Sequence, residues 1–96
     1  MAESICLDPK SDILLLGHRQ GITIFDMNRD TLYMVSNQVN GREIDVQDIV
    51  QDKRGFFWVS TTNGITRLKV NRKKDGGIEW EIRNYTAYRS EVVFIV

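Results

Sequence analysis

The chain repeats itself. Asp8-Pro9-Lys10 leads into ILLLGHRQGIT (13–23), and Asp52-Lys53-Arg54 leads into FFWVSTTNGIT (56–66). Gly21-Ile22-Thr23 returns as Gly64-Ile65-Thr66, about 43 residues later, and Ile5 returns as Ile49. The first copy carries one residue more between its Asp and its apolar run. Val92-Val93-Phe94-Ile95 matches Val46-Gln47-Asp48-Ile49, so a third copy opens near Ser90. A repeat of this length is one supersecondary unit that buries its apolar surface only against its neighbours. Whatever one copy folds into, the other must fold into as well, and the two must stack.

The apolar runs inside each copy are short. ILLL (13–16), GITIF (21–25), TLYMV (31–35), FFWV (56–59), ITRLKV (65–70) and IEWEI (78–82) are of strand length and rich in β-branched and aromatic residues. No segment sustains a 3.6-residue period. The joints are turn chemistry. Asp52 to Gly55 suits a tight turn closed by Gly, and Asn63-Gly64 suits a two-residue hairpin. Strands are expected near 3–8, 12–18, 21–26 and 31–36, then near 46–51, 56–62, 65–70 and 78–86.

Four strands per copy, at a period in the mid-40s, describe the blade of a β-propeller. The expected fold is therefore all-β. It comprises two four-stranded antiparallel blades, at 1–44 with its linker and at 45–89, plus the first strand of a further blade at 90–96. Alternation supports this. Phe56 and Trp58 point to one side of their strand, Phe57 and Val59 to the other, and both sets are apolar. Such a strand needs cover on both faces. In IEWEIR, by contrast, Ile78, Trp80 and Ile82 alternate with Glu79, Glu81 and Arg83, as in a half-exposed outer strand.

Charge excludes more than it suggests. Thirteen basic side chains balance thirteen acidic ones, which gives no reason to expect nucleic acid or a membrane surface as partner. Cys6 is the single cysteine and His18 the single histidine, so neither a disulfide nor a recognised zinc spacing is available within the chain. No cofactor is expected.

Three local patterns favour turns and strands over chemistry. Asp26-x-Asn28-x-Asp30 echoes a calcium loop but has Thr31 where Gly belongs and no Glu at its twelfth position. Lys69, Arg72, Lys73 and Lys74 sit beside Asp75, Glu79 and Glu81, as on a solvated hairpin. Ser60, Thr61 and Thr62 offer hydroxyls, and His18 fills the Thr61 position of the first copy. A nucleophile needs an adjacent base and an orienting third group, so the segment is read as non-catalytic.

The second copy, DIVQDKRGFFWVSTTNGITRL, resembles the two-component regulator propeller repeat. Ile49, Asp52, Gly55, Trp58, Thr61, Gly64 and Ile65 occupy that repeat's positions. The first copy keeps Ile5, Asp8, Gly21 and Ile22 but has Leu15 for Trp and His18 for Thr. The resemblance implies a piece of the extracytoplasmic, periplasmic sensor propeller of a bacterial hybrid histidine kinase and response regulator. It also implies glycan-derived ligands and, as partners, the remaining blades. An alternative is a scaffold for protein contact or receptor dimerisation. Two blades do not close a ring, so the chain is expected to be a fragment and to self-associate through exposed apolar faces. In propellers, ligands meet the second-to-third strand turns and the linkers between blades. Arg19, Gln20, Arg42, Asn63, Tyr88 and Arg89 are the candidates there, while Asp8, Gly21, Asp52, Gly55, Trp58 and Gly64 are expected to be structural.

Overall fold

Short β-branched runs between Gly- and Asp-bearing turns produce strands throughout. The computed structural model describes residues 4–19, 21–35, 38–39, 42–43, 45–62 and 64–86. Among them are ten strands and no helix. β1 (Ser4–Asp8), β2 (Ile13–His18), β3 (Gly21–Asp26) and β4 (Thr31–Val35) form one antiparallel sheet in chain order. β5 (Gln38–Val39) and β6 (Arg42–Glu43) form a short ladder in the linker. β7 (Val46–Gln51), β8 (Phe57–Thr61), β9 (Gly64–Arg72) and β10 (Ile78–Thr86) form the second four-stranded sheet, again in chain order. The strand expected at 90–96 lies outside the described residues.

The hairpins of the two sheets are built alike. His18 pairs with Gly21 and Thr61 with Gly64. Both glycines take φ 135°, a region that favours a residue without Cβ. At the other end, Asp8 and Asp52 each turn a carboxylate back onto the amide two residues on: Lys10 N donates to Asp8 at 3.1 Å and Arg54 N to Asp52 at 2.9 Å. The extra residue of the first turn is absorbed at Asp12, which sits at φ 56°.

The sheets stack face to face, with β7 against β1 and β2. Ile13, Leu15, Ile22, Ile24 and Val35 of the first sheet share one buried cluster with Val46, Ile49, Phe57, Val59, Leu68 and Ile78 of the second. Tyr33 meets Trp80 edge-on across the seam, with ring centroids 5.7 Å apart. Gly17 marks a close approach of β2 to β7. A Cβ there would clash with the Val46 side chain and lie 2.7 Å from Ser4 Oγ.

The repeat makes this stacking directional. Ile13 and Leu15 face the second sheet, yet their counterparts Phe56 and Trp58 face away from the first. Phe57 and Val59 face the first sheet, while their counterparts Leu14 and Leu16 lie on its far side. Equivalent faces therefore point the same way in both sheets. A two-fold sandwich would instead turn like faces together.

Among the described residues, the other face of each sheet has no sheet stacked on it. On the first sheet that face is apolar: Ile5, Leu7, Leu32 and Met34 are at least half exposed, and Leu14, Leu16 and Phe25 half-buried. On the second sheet it carries Val50, Phe56, Trp58 and Tyr85 together with the bases Arg67, Lys69 and Arg83 and the acids Asp48, Glu79 and Glu81. Trp58, read from sequence as covered on its strand's outer side, is half-buried there.

Candidate functional site

Three regions bear on function: the hairpin end, the opposite turn end, and the outer face of the second sheet.

At the hairpin end, Arg19 is exposed just after β2. Arg42 lies in β6. Gln20, Asn63, Tyr88 and Arg89 lie outside the described residues. The hydroxyls here serve structure. Thr61 donates to Gly64 O at 3.0 Å, and Ser60 reaches Asp48 O at 3.5 Å. A His18 ring nitrogen lies 3.0 Å from Thr23 Oγ1. His18 has the outer parity of Leu14 and Leu16, whereas Thr61 has the inner parity of Phe57 and Val59. Their matching repeat positions point the same way, so His18 lies on the outer face of the first sheet while Thr61 lies in the seam.

At the turn end, a cleft of about 470 Å³ opens between the two Asp-initiated turns. Lys10, Lys53, Arg54, Lys69 and Arg72 line it together with Asp8 and Asp52. Its charges are largely committed. Asp52 accepts from Arg54 N, Arg54 Nη2, Phe56 N and the Trp58 indole, all at 2.9–3.0 Å. The Trp58 bond does most to hold its carboxyl down at about 2; burial works against it, and the Arg54 side chain and two backbone amides assist. Ser11 Oγ and Lys10 N take up Asp8. Lys69 donates to Arg54 O at 3.0 Å.

Arg72, read from sequence as part of a solvated loop, anchors the cleft's inner wall. It donates to buried Asp26 at 2.5 Å, to Ser11 O at 2.5 Å and to Gly76 O at 2.9 Å. That bond holds the Asp26 carboxyl well below its ordinary value against the cost of burial. Asp26, read as part of a hairpin turn, accepts from Asn28 N within that turn at 3.1 Å and also points across the seam to Arg72. Nearby, Arg29 Nη2 donates to Asp75 O at 2.6 Å, so the outer hairpins of both sheets are tied. The sequence does hold a trace of this, since Arg72 extends a strand whose alternate members Leu68 and Val70 face inward.

The outer face of the second sheet combines rings and cations. Arg54, Arg67 and Lys69 lie 5.0, 4.6 and 4.8 Å from the centre of the Phe56 ring. Arg83 lies 5.2 Å from Tyr85, and Trp58 and Tyr85 are 6.1 Å apart. Cys6, by contrast, is unsuited to thiolate chemistry: burial first, then Asp8 and Asp48, pushes its thiol up.

The chain matches no protein-family model, no curated protein and no solved structure among those compared with it.

Proposed function

We propose that the chain contributes two adjacent blades to the sensor propeller of a hybrid two-component signalling protein, and that its role is non-catalytic ligand sensing. The observation that supports this reading is the directional stacking of two repeat-equivalent sheets. In a propeller, each blade offers one face to the blade before it and the other to the blade after it, with first strands toward the centre. β1 and β7, the first strands of their sheets, lie side by side here. The open face on either flank is then the seat of a further blade, and 90–96 supplies the next blade's first strand.

Under this reading the ligand is a glycan fragment met at the hairpin end, where Arg19, Gln20, Arg42, Asn63, Tyr88 and Arg89 are the polar and aromatic groups on offer. The site is extracytoplasmic. The test is a glycan-binding screen of the full-length protein that carries this segment. Carbohydrate binding that is lost on Arg19→Ala or Arg42→Ala supports sensing. Indifference to every glycan moves the role to a scaffold for protein contact.

A further inference from the structure

We infer that β10 pairs edge to edge with β10 of a second copy of this chain, antiparallel about a two-fold axis at Ile82. This pairing uses a strand edge, leaves the stacking faces of both sheets to further blades, and does not depend on glycan sensing.

β10 is the last strand of its sheet, so one of its edges has no strand beside it among the described residues. It runs nine residues, Ile78–Thr86, and contains neither Pro nor Lys. Its register against β9 is unbroken from end to end. Edge strands that avoid further pairing are kept short, bulged, or guarded by Lys or Pro. The equivalent strand of the first sheet, β4, is short, at five residues. β10 carries none of these guards, and Glu79, Glu81, Ile82, Arg83 and Asn84 along it are exposed.

The turn before β10 sets which backbone groups look outward. Lys73 N donates to Gly77 O at 2.8 Å, so those two residues form a hydrogen-bonded pair. Such pairs alternate with non-hydrogen-bonded ones along an antiparallel ladder. Glu79, Glu81, Arg83 and Tyr85 therefore turn their N–H and C=O toward Asn71, Lys69, Arg67 and Ile65 of β9. Ile78, Trp80, Ile82 and Asn84 turn theirs to the free edge.

Charge selects the register in which two such edges meet. Centred on Glu81 or on Arg83, the pairing sets that residue against its own copy. Centred on Trp80, it sets Glu79 against Glu81. Each of these places like charges directly opposite, which disfavours a strand pair. Centred on Asn84, it brings no charged pair together among the described residues. Centred on Ile82, Glu81 of each copy faces Arg83 of the other, Ile82 faces Ile82, and Trp80 faces Asn84. Ile82, Trp80 and Asn84 then exchange the outward backbone bonds. The Glu81–Arg83 pairs fall at non-hydrogen-bonded positions, where facing side chains stand closest.

The same register answers an imbalance inside the chain. Arg83 stands opposite Arg67 in the β9–β10 ladder, a like-charge pair. Among the described residues neither Arg83 nor Glu81 has an ion-pair partner. Edge pairing places each Arg83 between its own Arg67 and the Glu81 of the other copy. One strand edge buries less surface than a stable dimer interface, so half-association is expected on the order of hundreds of micromolar.

The test uses the whole chain, both native and with Leu7→Lys/Met34→Lys, which removes association through the apolar face of the first sheet. Nuclear magnetic resonance follows amide hydrogen exchange as the concentration is raised into the millimolar range. The amides of Trp80, Ile82 and Asn84 are expected to gain protection with concentration. Those of Glu81 and Arg83, already directed at β9, are expected to stay unchanged. Glu81→Arg and Arg83→Glu should each weaken the dimer by about tenfold or more, since each sets like charges opposite one another twice. An equimolar mixture of the two variants should pair as tightly as the parent, because every Glu then faces an Arg. The Glu81→Arg/Arg83→Glu double variant should do the same. The Trp80 indole signal, set by its contact with Tyr33 in the seam, reports that each variant is folded. Three results overturn the inference: no concentration-dependent protection along β10, equal protection of alternate amides, or a mixture that pairs no more tightly than its parts.

Discussion

Arg72 donates to Asp26 across the seam between the sheets, a bond between residues 46 positions apart that no hairpin enforces. Asp26 is fully buried, while about a quarter of the Arg72 side chain, 24%, meets solvent. Arg72 also holds Ser11 O in the first sheet and Gly76 O in its own hairpin. One guanidinium thus satisfies three acceptors and sets how the sheets meet at their outer corner.

Removing the carboxylate leaves that guanidinium half-buried without its ion-pair partner. Asp26→Ala is expected to destabilise the fold by about 3 kcal/mol, the low end for breaking a buried pair because Arg72 retains some water. Urea denaturation of the variant measures this. An unchanged midpoint would mean that the seam is held by apolar packing alone.

Asp52 makes stability depend on acid. Its carboxyl lies at about 2 in the folded chain, against about 3.9 in an unfolded one. A carboxyl depressed on folding contributes fully above the unfolded value, and the contribution fades as pH falls from about 4 toward 2. The Trp58 indole resonance should move through the same window as its acceptor is protonated. Asp52→Asn should remove that share of the acid limb.

Gly17 bears on packing. Its missing Cβ lets β2 reach Val46 and Ile49 of β7. Gly17→Ala should wedge the sheets apart and cost about 1–3 kcal/mol, the usual range for overpacking. Thermal unfolding reads the loss. In the same variant the Tyr33–Trp80 contact should loosen, visible as a change in near-ultraviolet circular dichroism.

Arg83 should show the opposite sign. Arg83→Glu replaces a like-charge pair with a cross-strand ion pair to Arg67, so stability should rise by about 0.2–1 kcal/mol. Thermal unfolding measures the gain; an unchanged or lower midpoint would mean that the Phe56 and Tyr85 rings already hold the two guanidinium groups.

The open face of the first sheet predicts association. Ile5, Leu7, Leu32 and Met34 form a contiguous apolar surface on β1 and β4 that the half-buried β2 and β3 residues join. Sedimentation should show mass rising with concentration in the micromolar range. Leu7→Lys with Met34→Lys should return the protein to monomer. A folded monomer without those changes would sink the prediction.

The strands were legible because their causes are local. β-branched runs, Asp-initiated turns and Gly-bearing hairpins sit within a few residues of one another, and two four-stranded antiparallel sheets follow. β9 runs on to Arg72, beyond the Val70 end read from the sequence. The Lys73–Gly77 turn is tight enough to keep Asn71 and Arg72 in the ladder: Lys73 N donates to Gly77 O at 2.8 Å. The β5–β6 ladder was not read, since two residues per strand carry no period. Asp26 with Arg72, and Arg67 with Arg83, were missed for a different reason. Each looks like ordinary turn or surface charge until the register of distant strands is known. The candidate ligand site is the least visible part: of its six residues, Arg19 and Arg42 alone fall among those described.

The directional stacking described above has a genetic corollary. A gene segment of about 43 codons encodes one sheet together with both halves of the contact it needs, one on each face. Copying that segment in tandem inserts a sheet whose two seams already exist, and the receiving neighbours need not change first. A two-fold sandwich has no such property, because its contact is spent once its two faces have met.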